Sequence, residues 1–189
     1  MQHTDPQTLH FLRHRRSHPP KTLRAPAPDR HELMNLLTLA ARVPDHGKLE
    51  PWRFVVLERG ALDRLAPVLA ETVAAAGGDE AAVEKARSAF ASPVIVAVVF
   101  APKPSDKIPE WEQFLSTGAV CLSLVNAALA AGYGAAWLTG PAAQPGFAAA
   151  HLGLADHERI AGLVHIGTRG DTEIPDRPRP DIAARTTFL

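Results

Sequence analysis

From Phe114 to Ala150 the chain carries no Asp, Glu, Lys or Arg. A stretch of that kind has to be hidden from water, in a bilayer or in the core of a fold. A membrane helix needs about 20 predominantly apolar residues in a row. Here Gly118, Ser123, Asn126, Gly132, Gly134 and Pro141 interrupt the run, and no basic flank anchors it. The reading is therefore a buried core helix, broken at "AGYG" and followed by a buried strand, with no membrane as partner. The 189 residues suffice for one domain built around such a core.

The rest of the chain supplies layers to cover that core. "PVIVAVVF", Pro93 to Phe100, is a continuous apolar run of strand length and predicts a central strand buried on both faces. "WRFVVLE" (Trp52 to Glu58), "YGAAWLT" and "RIAGLVHIGT" add three more strands. Helices are expected over Thr4 to Arg16, with Thr4 as N-cap, and from Asp29, with Glu32 at the capping-box distance. Others are expected in "GALDRLAPVLAETVAAA", in "GGDEAAVEKARSAF", from Pro109 to Ala131, and in "QPGFAAAHLGL". Helices alternating with about four strands suit a sheet covered on both faces. The proline-rich tail "IPDRPRPDIAARTTFL" reads as an extended arm.

Charge and cysteine content narrow the function. Lys plus Arg and Asp plus Glu both number 20, so the basic run "RHRRSH" is local. Proteins that live on nucleic acid carry a basic excess, so no nucleic-acid partner is expected. The single Cys121 makes no intrachain disulfide and sits in an apolar run, as a buried structural thiol would. With no apolar leader at the N-terminus, the expected location is cytoplasmic.

The familiar catalytic motifs are missing: no dinucleotide fingerprint or P-loop, no nucleophile elbow, no His or Cys at metal spacing. Three segments remain. Arg15, Arg16 and Ser17 follow a helix; two guanidinium forks and a hydroxyl suit a phosphate, and equally suit a solvated helix end. "ARVPDHGKLEPWRFVVL" (41–57) runs from a helix through an irregular loop into a strand, with Arg42 and His46 as binding residues or merely exposed ones. "GYGAAWLTG" (132–140) presents backbone N–H groups at a strand end, or is an ordinary turn with Trp137 in the core.

Taken in order, "RRS", "R-x-P-D-H-x-x-x-x-P-W-x-F" and "WLTG" resemble the FMN-dependent nitroreductase family, its minimal NAD(P)H nitroreductase branch most of all. "KARSAF", "PEWEQFLSTGA" and "IAGLVHIGT" extend the resemblance over nearly the whole chain, as one domain spanning residues 1–189. The fold it implies is α+β, a mixed, largely antiparallel sheet sandwiched by helices, in an intertwined homodimer with FMN at the interface. By the family pattern Arg15, Arg16 and Ser17 hold the FMN phosphate and ribityl end. Arg42 and His46 reach the flavin of the other subunit. Trp137, Leu138 and Thr139 line the isoalloxazine. The implied activity is NAD(P)H-dependent reduction of nitroaromatic or quinone-like small molecules by a ping-pong mechanism, with the flavin carrying the chemistry and no catalytic side chain. Dehalogenation, ene reduction and a non-catalytic flavin module are the alternatives on the same fold. The chain departs from the pattern in having Glu50 where Gln is usual. Lys21 or Arg24, and Arg177 or Arg179, are the substitutes for basic residues that the pattern places elsewhere.

Overall fold

The computed structural model describes residues 4–189. Its centre is the strand β3, Val94–Phe100, in which every residue is buried. Alternation along β3 sends Val94, Val96, Val98 and Phe100 to one face and Ile95, Ala97 and Val99 to the other. Both faces are apolar, so both must be covered. On the first lie α2 (Arg30–Ala40) and α5 (Glu110–Ala130), through Leu33, Leu36, Leu37, Val120 and Leu124. On the second lie α3 (Arg59–Ala75), α4 (Glu80–Ser88) and α6 (Pro145–Leu152), through Leu62, Leu69, Ala86 and Phe147.

β2 (Trp52–Glu58) flanks β3 on one side and the long β5 (Arg159–Arg169) on the other. β5 is long enough to serve two partners on its far edge. β4 (Gly134–Leu138) pairs with Leu163 to Gly167, and the two-residue β1 (Leu23–Arg24) with Thr168 and Arg169. The result is an α+β fold with a five-stranded sheet between helical layers. Every pairing among the described residues is antiparallel.

α5 is long and apolar enough to cross a membrane by composition. It is instead the helix that covers the sheet, with Cys121 and Thr117 fully buried. Burial pushes the Cys121 thiol up to about 12, which keeps it protonated and inert.

Most elements lie where periodicity puts them, and the capping box of Asp29 and Glu32 is formed. α1 is shorter than the sequence suggests. It spans Pro6–His14, and its N-cap is Asp5, not Thr4. The Asp5 carboxylate accepts from the Gln7 and Thr8 amides, and Pro6 follows it at the first helical position, where a missing N–H costs nothing. At the other end Arg15 is extended, so the helix stops before the two arginines rather than after them.

Candidate functional site

The stop at Arg15 shapes the site. His18 leaves the helix in an extended strip whose amide donates to Ala135 O of β4, at 2.9 Å. Pro19 and Pro20 then carry the chain to β1. The strip thus lies along the edge of β4 that β5 does not occupy. It brings Arg16 and Ser17 beside Ala136 and Leu138, across a cavity of about 460 Å³ that Pro175 and Arg177 close from the C-terminal arm.

β4 sorts its own side chains by alternation. Ala136 and Leu138 face this cavity. Trp137 turns to the opposite face, over α5. There its Nε1 donates to Ala161 O at 3.3 Å, and its ring occupies the space left by the absent side chain of Gly162. Thr139 is exposed at the strand end, and Gly140 after it takes φ +140°, a conformation that favours glycine.

Arg16 is half-buried. It donates to Pro175 O at 3.0 Å and lies 3.7 Å from the exposed Asp176 carboxylate. Its Nε and that of Arg15 are buried without a hydrogen-bond partner. Such donors are costly to leave unmet, and an anion bound beside them would satisfy them. Arg177 lines the cavity, whereas Arg179 pairs with Asp176 and Arg13 O. Arg24 turns to the carbonyls of Lys21 and Leu23.

Arg42 and His46 lie elsewhere. Arg42 is exposed just beyond the end of α2. His46 Nδ1 lies 2.8 Å from Glu112 Oε2 on α5. Ser116 donates to Pro44 O at 2.6 Å and clamps the same loop. Gly47, Lys48 and Glu50 all have positive φ, so the loop is tightly wound. The Glu50 amide donates to Asp45 Oδ2 at 2.8 Å. Within one chain, then, Arg16, Ser17 and Leu138 converge, and Arg42 and His46 do not join them.

Two residues near the site are not among those the sequence assigned to it, although His18 closes the basic run "RHRRSH". His18 and Arg169 wall a second cavity with Arg15 and Arg16. Arg169 ends β5 and donates to Tyr133 O and Leu129 O, both at 3.0 Å, where α5 ends. Only the pairing of β4 with β5 brings it there.

A family model described as the Nitroreductase family matches residues 12–168. The chain belongs to the nitroreductase family. Among relatives in this family, the protein named "Putative NAD(P)H nitroreductase YdjA" of Escherichia coli K12 is 35% identical over 161 residues, 85% of this chain and 87% of that protein. A "Putative NAD(P)H nitroreductase" of Haemophilus influenzae is 35% identical over 150 residues, 78% of this chain and 82% of that one. The nitroreductase fold is shared with a nitroreductase-like protein of Bacillus cereus, at TM-score 0.77 and 23% identity over 100% of this chain and 99% of that one. It is shared too with a nitroreductase of Bacteroides fragilis solved with bound FMN, at TM-score 0.76 and 18% identity over 98% of this chain and 100% of that one.

Proposed function

We propose that the protein is an FMN-dependent oxidoreductase that uses NAD(P)H to reduce nitroaromatic or quinone-like acceptors. It acts as a single FMN-binding domain over residues 1–189, in a cytoplasmic homodimer. The observation that carries this is the cavity that joins Arg16 and Ser17 to the end of β4. The unpartnered buried guanidinium nitrogens beside it suit a phosphate, and the flat edge of β4 suits a ring. FMN-bound relatives of the same fold and the nitroreductase names of the 35% identical relatives point the same way.

In this reading Arg15, Arg16 and Ser17 hold the phosphate and ribityl end. Leu138, Thr139 and Trp137 form the β4 wall beside the ring, with Leu138 in direct reach and Trp137 supporting from the other face. When bound, FMN supplies the two-electron chemistry between donor and acceptor. The chain supplies position, charge and exclusion of water.

Arg42 and His46 complete the site from the partner subunit. The same-chain cavity is lined without them. α5 supports a dimer independently: Trp111, Leu115 and Leu122 are 63%, 64% and 47% exposed, and Trp137 lies on the same side. A contiguous apolar face of that kind is rare on a monomer.

With one ring face and no separate dinucleotide fold, donor and acceptor must use the same place in turn. Steady-state kinetics with NADH or NADPH and a nitroaromatic acceptor should give parallel double-reciprocal lines. Intersecting lines, the sign of a ternary complex, would contradict the shared site.

A further inference from the structure

The loop that carries His46 is exposed, yet it is pinned to α5 at both ends. Ser116 Oγ donates to Pro44 O at 2.6 Å, and Thr117 Oγ1 donates to Pro51 O at 3.1 Å. Between these anchors His46 Nδ1 lies 2.8 Å from Glu112 Oε2. Glu112 and Ser116 stand four residues apart, on one face of the helix. Gly47 packs so closely that a Cβ there would stand 2.5 Å from Ile108 Cδ1. The anchors fix the backbone, and the bond to Glu112 fixes the ring.

That bond has a direction. A carboxylate accepts and does not donate, so the proton of the bond sits on Nδ1. In a neutral imidazole Nε2 then carries the lone pair. Nε2 takes no partner among the described residues. The His46 side chain is 63% exposed and that of Glu112 31%, so the imidazole is the more open of the two. An exposed pair of this kind adds little to stability; what it does set is the tautomer and the aim of the ring. Both residues line a cavity of about 350 Å³ that includes Leu115, a member of the exposed apolar face of α5. The pair thus opens on the side that the proposed dimer covers.

We propose that Glu112 is a positioning residue of the flavin site. It holds His46 in the Nδ1–H tautomer and so offers Nε2 to the FMN ring bound in the other subunit. The proposal rests on the reading of the chain as an FMN protein in which His46 acts across the interface. Glu112 itself touches neither flavin nor substrate.

The first readout is the tautomer, taken from proton–nitrogen correlation NMR of the histidine rings in FMN-loaded protein. The pH is set about two units above the ordinary imidazole pKa of about 6.5. The signal lost in His46→Gln identifies the ring. The wild type should carry the proton on Nδ1. Glu112→Leu should move it to Nε2, the tautomer that a free imidazole favours. Glu112→Gln should keep it on Nδ1, because the amide oxygen still accepts. Ser116→Ala loosens the same loop without touching the ring and should leave the tautomer as it is. The second readout is a double-mutant cycle on FMN affinity, by quenching of flavin fluorescence. His46→Gln and Glu112→Leu should each weaken FMN by about threefold to tenfold, the scale of one hydrogen bond. The double variant should be no weaker than His46→Gln alone, and Glu112→Gln should recover most of the loss. Thermal melts check that each variant is folded.

Losses that add in the double variant would overturn the proposal and leave the FMN reading standing. So would a Glu112→Leu protein that keeps the Nδ1–H tautomer, or one with full FMN affinity beside a weakened His46→Gln. Should Glu112→Leu fail to fold, Glu112→Ala replaces it, and a wild-type His46 protonated on Nε2 overturns the proposal by itself. Full FMN affinity in His46→Gln would remove His46 from the flavin, and Glu112 with it. Wild-type protein that binds no FMN would contradict the FMN reading, and the proposal falls with it.

Discussion

Arg16 is the charged side chain common to the two cavities at the end of α1. Its present partners are a carbonyl and a distant, exposed carboxylate, which leaves most of its charge unbalanced. Loss of a charged hydrogen bond to phosphate costs about 1.5–3 kcal/mol, or about ten- to a hundredfold in affinity. Arg16→Ala is therefore expected to purify folded but largely free of flavin, measured as the flavin-to-protein absorbance ratio. Full flavin content in that variant would remove Arg16 from the site. A second residue links the fold to pH. His165 is 2% exposed, bonds Ser92 Oγ at 2.8 Å through Nδ1, and is held down to about 4 by burial. Because its folded pKa lies below the ordinary 6.5, the unfolded chain binds the extra proton. Stability is fully present above about pH 6.5 and falls as the pH drops toward 4, by about 3 kcal/mol. Urea melts of wild type and His165→Gln at pH 7 and pH 4.5 should show the larger loss in the wild type. Equal losses would mean that His165 is not the linked group.

At the scale of elements, the wall of the site is the β4–β5 ladder and the helix behind it. Gly162 of β5 leaves room for Trp137 of β4 against α5. A Cβ at position 162 would stand 2.5 Å from Trp137 Cδ1 and 3.0 Å from Cys121 Sγ. Gly162→Ala is expected to cost about 1–3 kcal/mol, the usual scale of overpacking. It should also displace the Trp137 indole, so a lowered melting temperature and a shifted tryptophan emission should appear together. A normal melting temperature would show that the indole yields freely. How far these elements are legible in the sequence depends on range. The capping box at Asp29, the apolar run of β3 and the uncharged α5 are local patterns, and each reads directly. β1 is not legible, because two residues have no periodicity and Leu23–Arg24 is a strand only through the end of β5. The N-cap shifts from Thr4 to Asp5 because Pro6 sets the first helical position. Arg15, Arg16 and Ser17 announce themselves by composition. His18 and Arg169 do not, since their meeting depends on Gly134 pairing with Gly167 and on the strip bonded to Ala135. Alternation along β4 separates Trp137 from Leu138, a distinction invisible in the string "WLTG".

At the scale of the whole molecule, the proposed homodimer would cover the exposed apolar face of α5 and the C-terminal arm. Ile182 and Phe188 on the arm are 64% and 94% exposed. If Arg42 and His46 act across the interface, the two subunits share each site. An Arg16→Ala chain and an Arg42→Ala chain, each defective alone, should then recover activity when mixed, because the heterodimer keeps one intact site. Confirmed subunit exchange with no recovery, or a fully active monomer by light scattering, would refute the shared site. The proposed FMN between Arg16 and β4 would be reducible and coloured, so the decisive measurement is the visible spectrum of the purified protein. Oxidised-flavin bands are expected in the protein as purified or after addition of FMN. They should bleach under anaerobic NADH or NADPH and return when a nitroaromatic acceptor is added. A protein that neither carries nor takes up flavin, or a bound flavin that stays oxidised under anaerobic excess of both nucleotides, would contradict it.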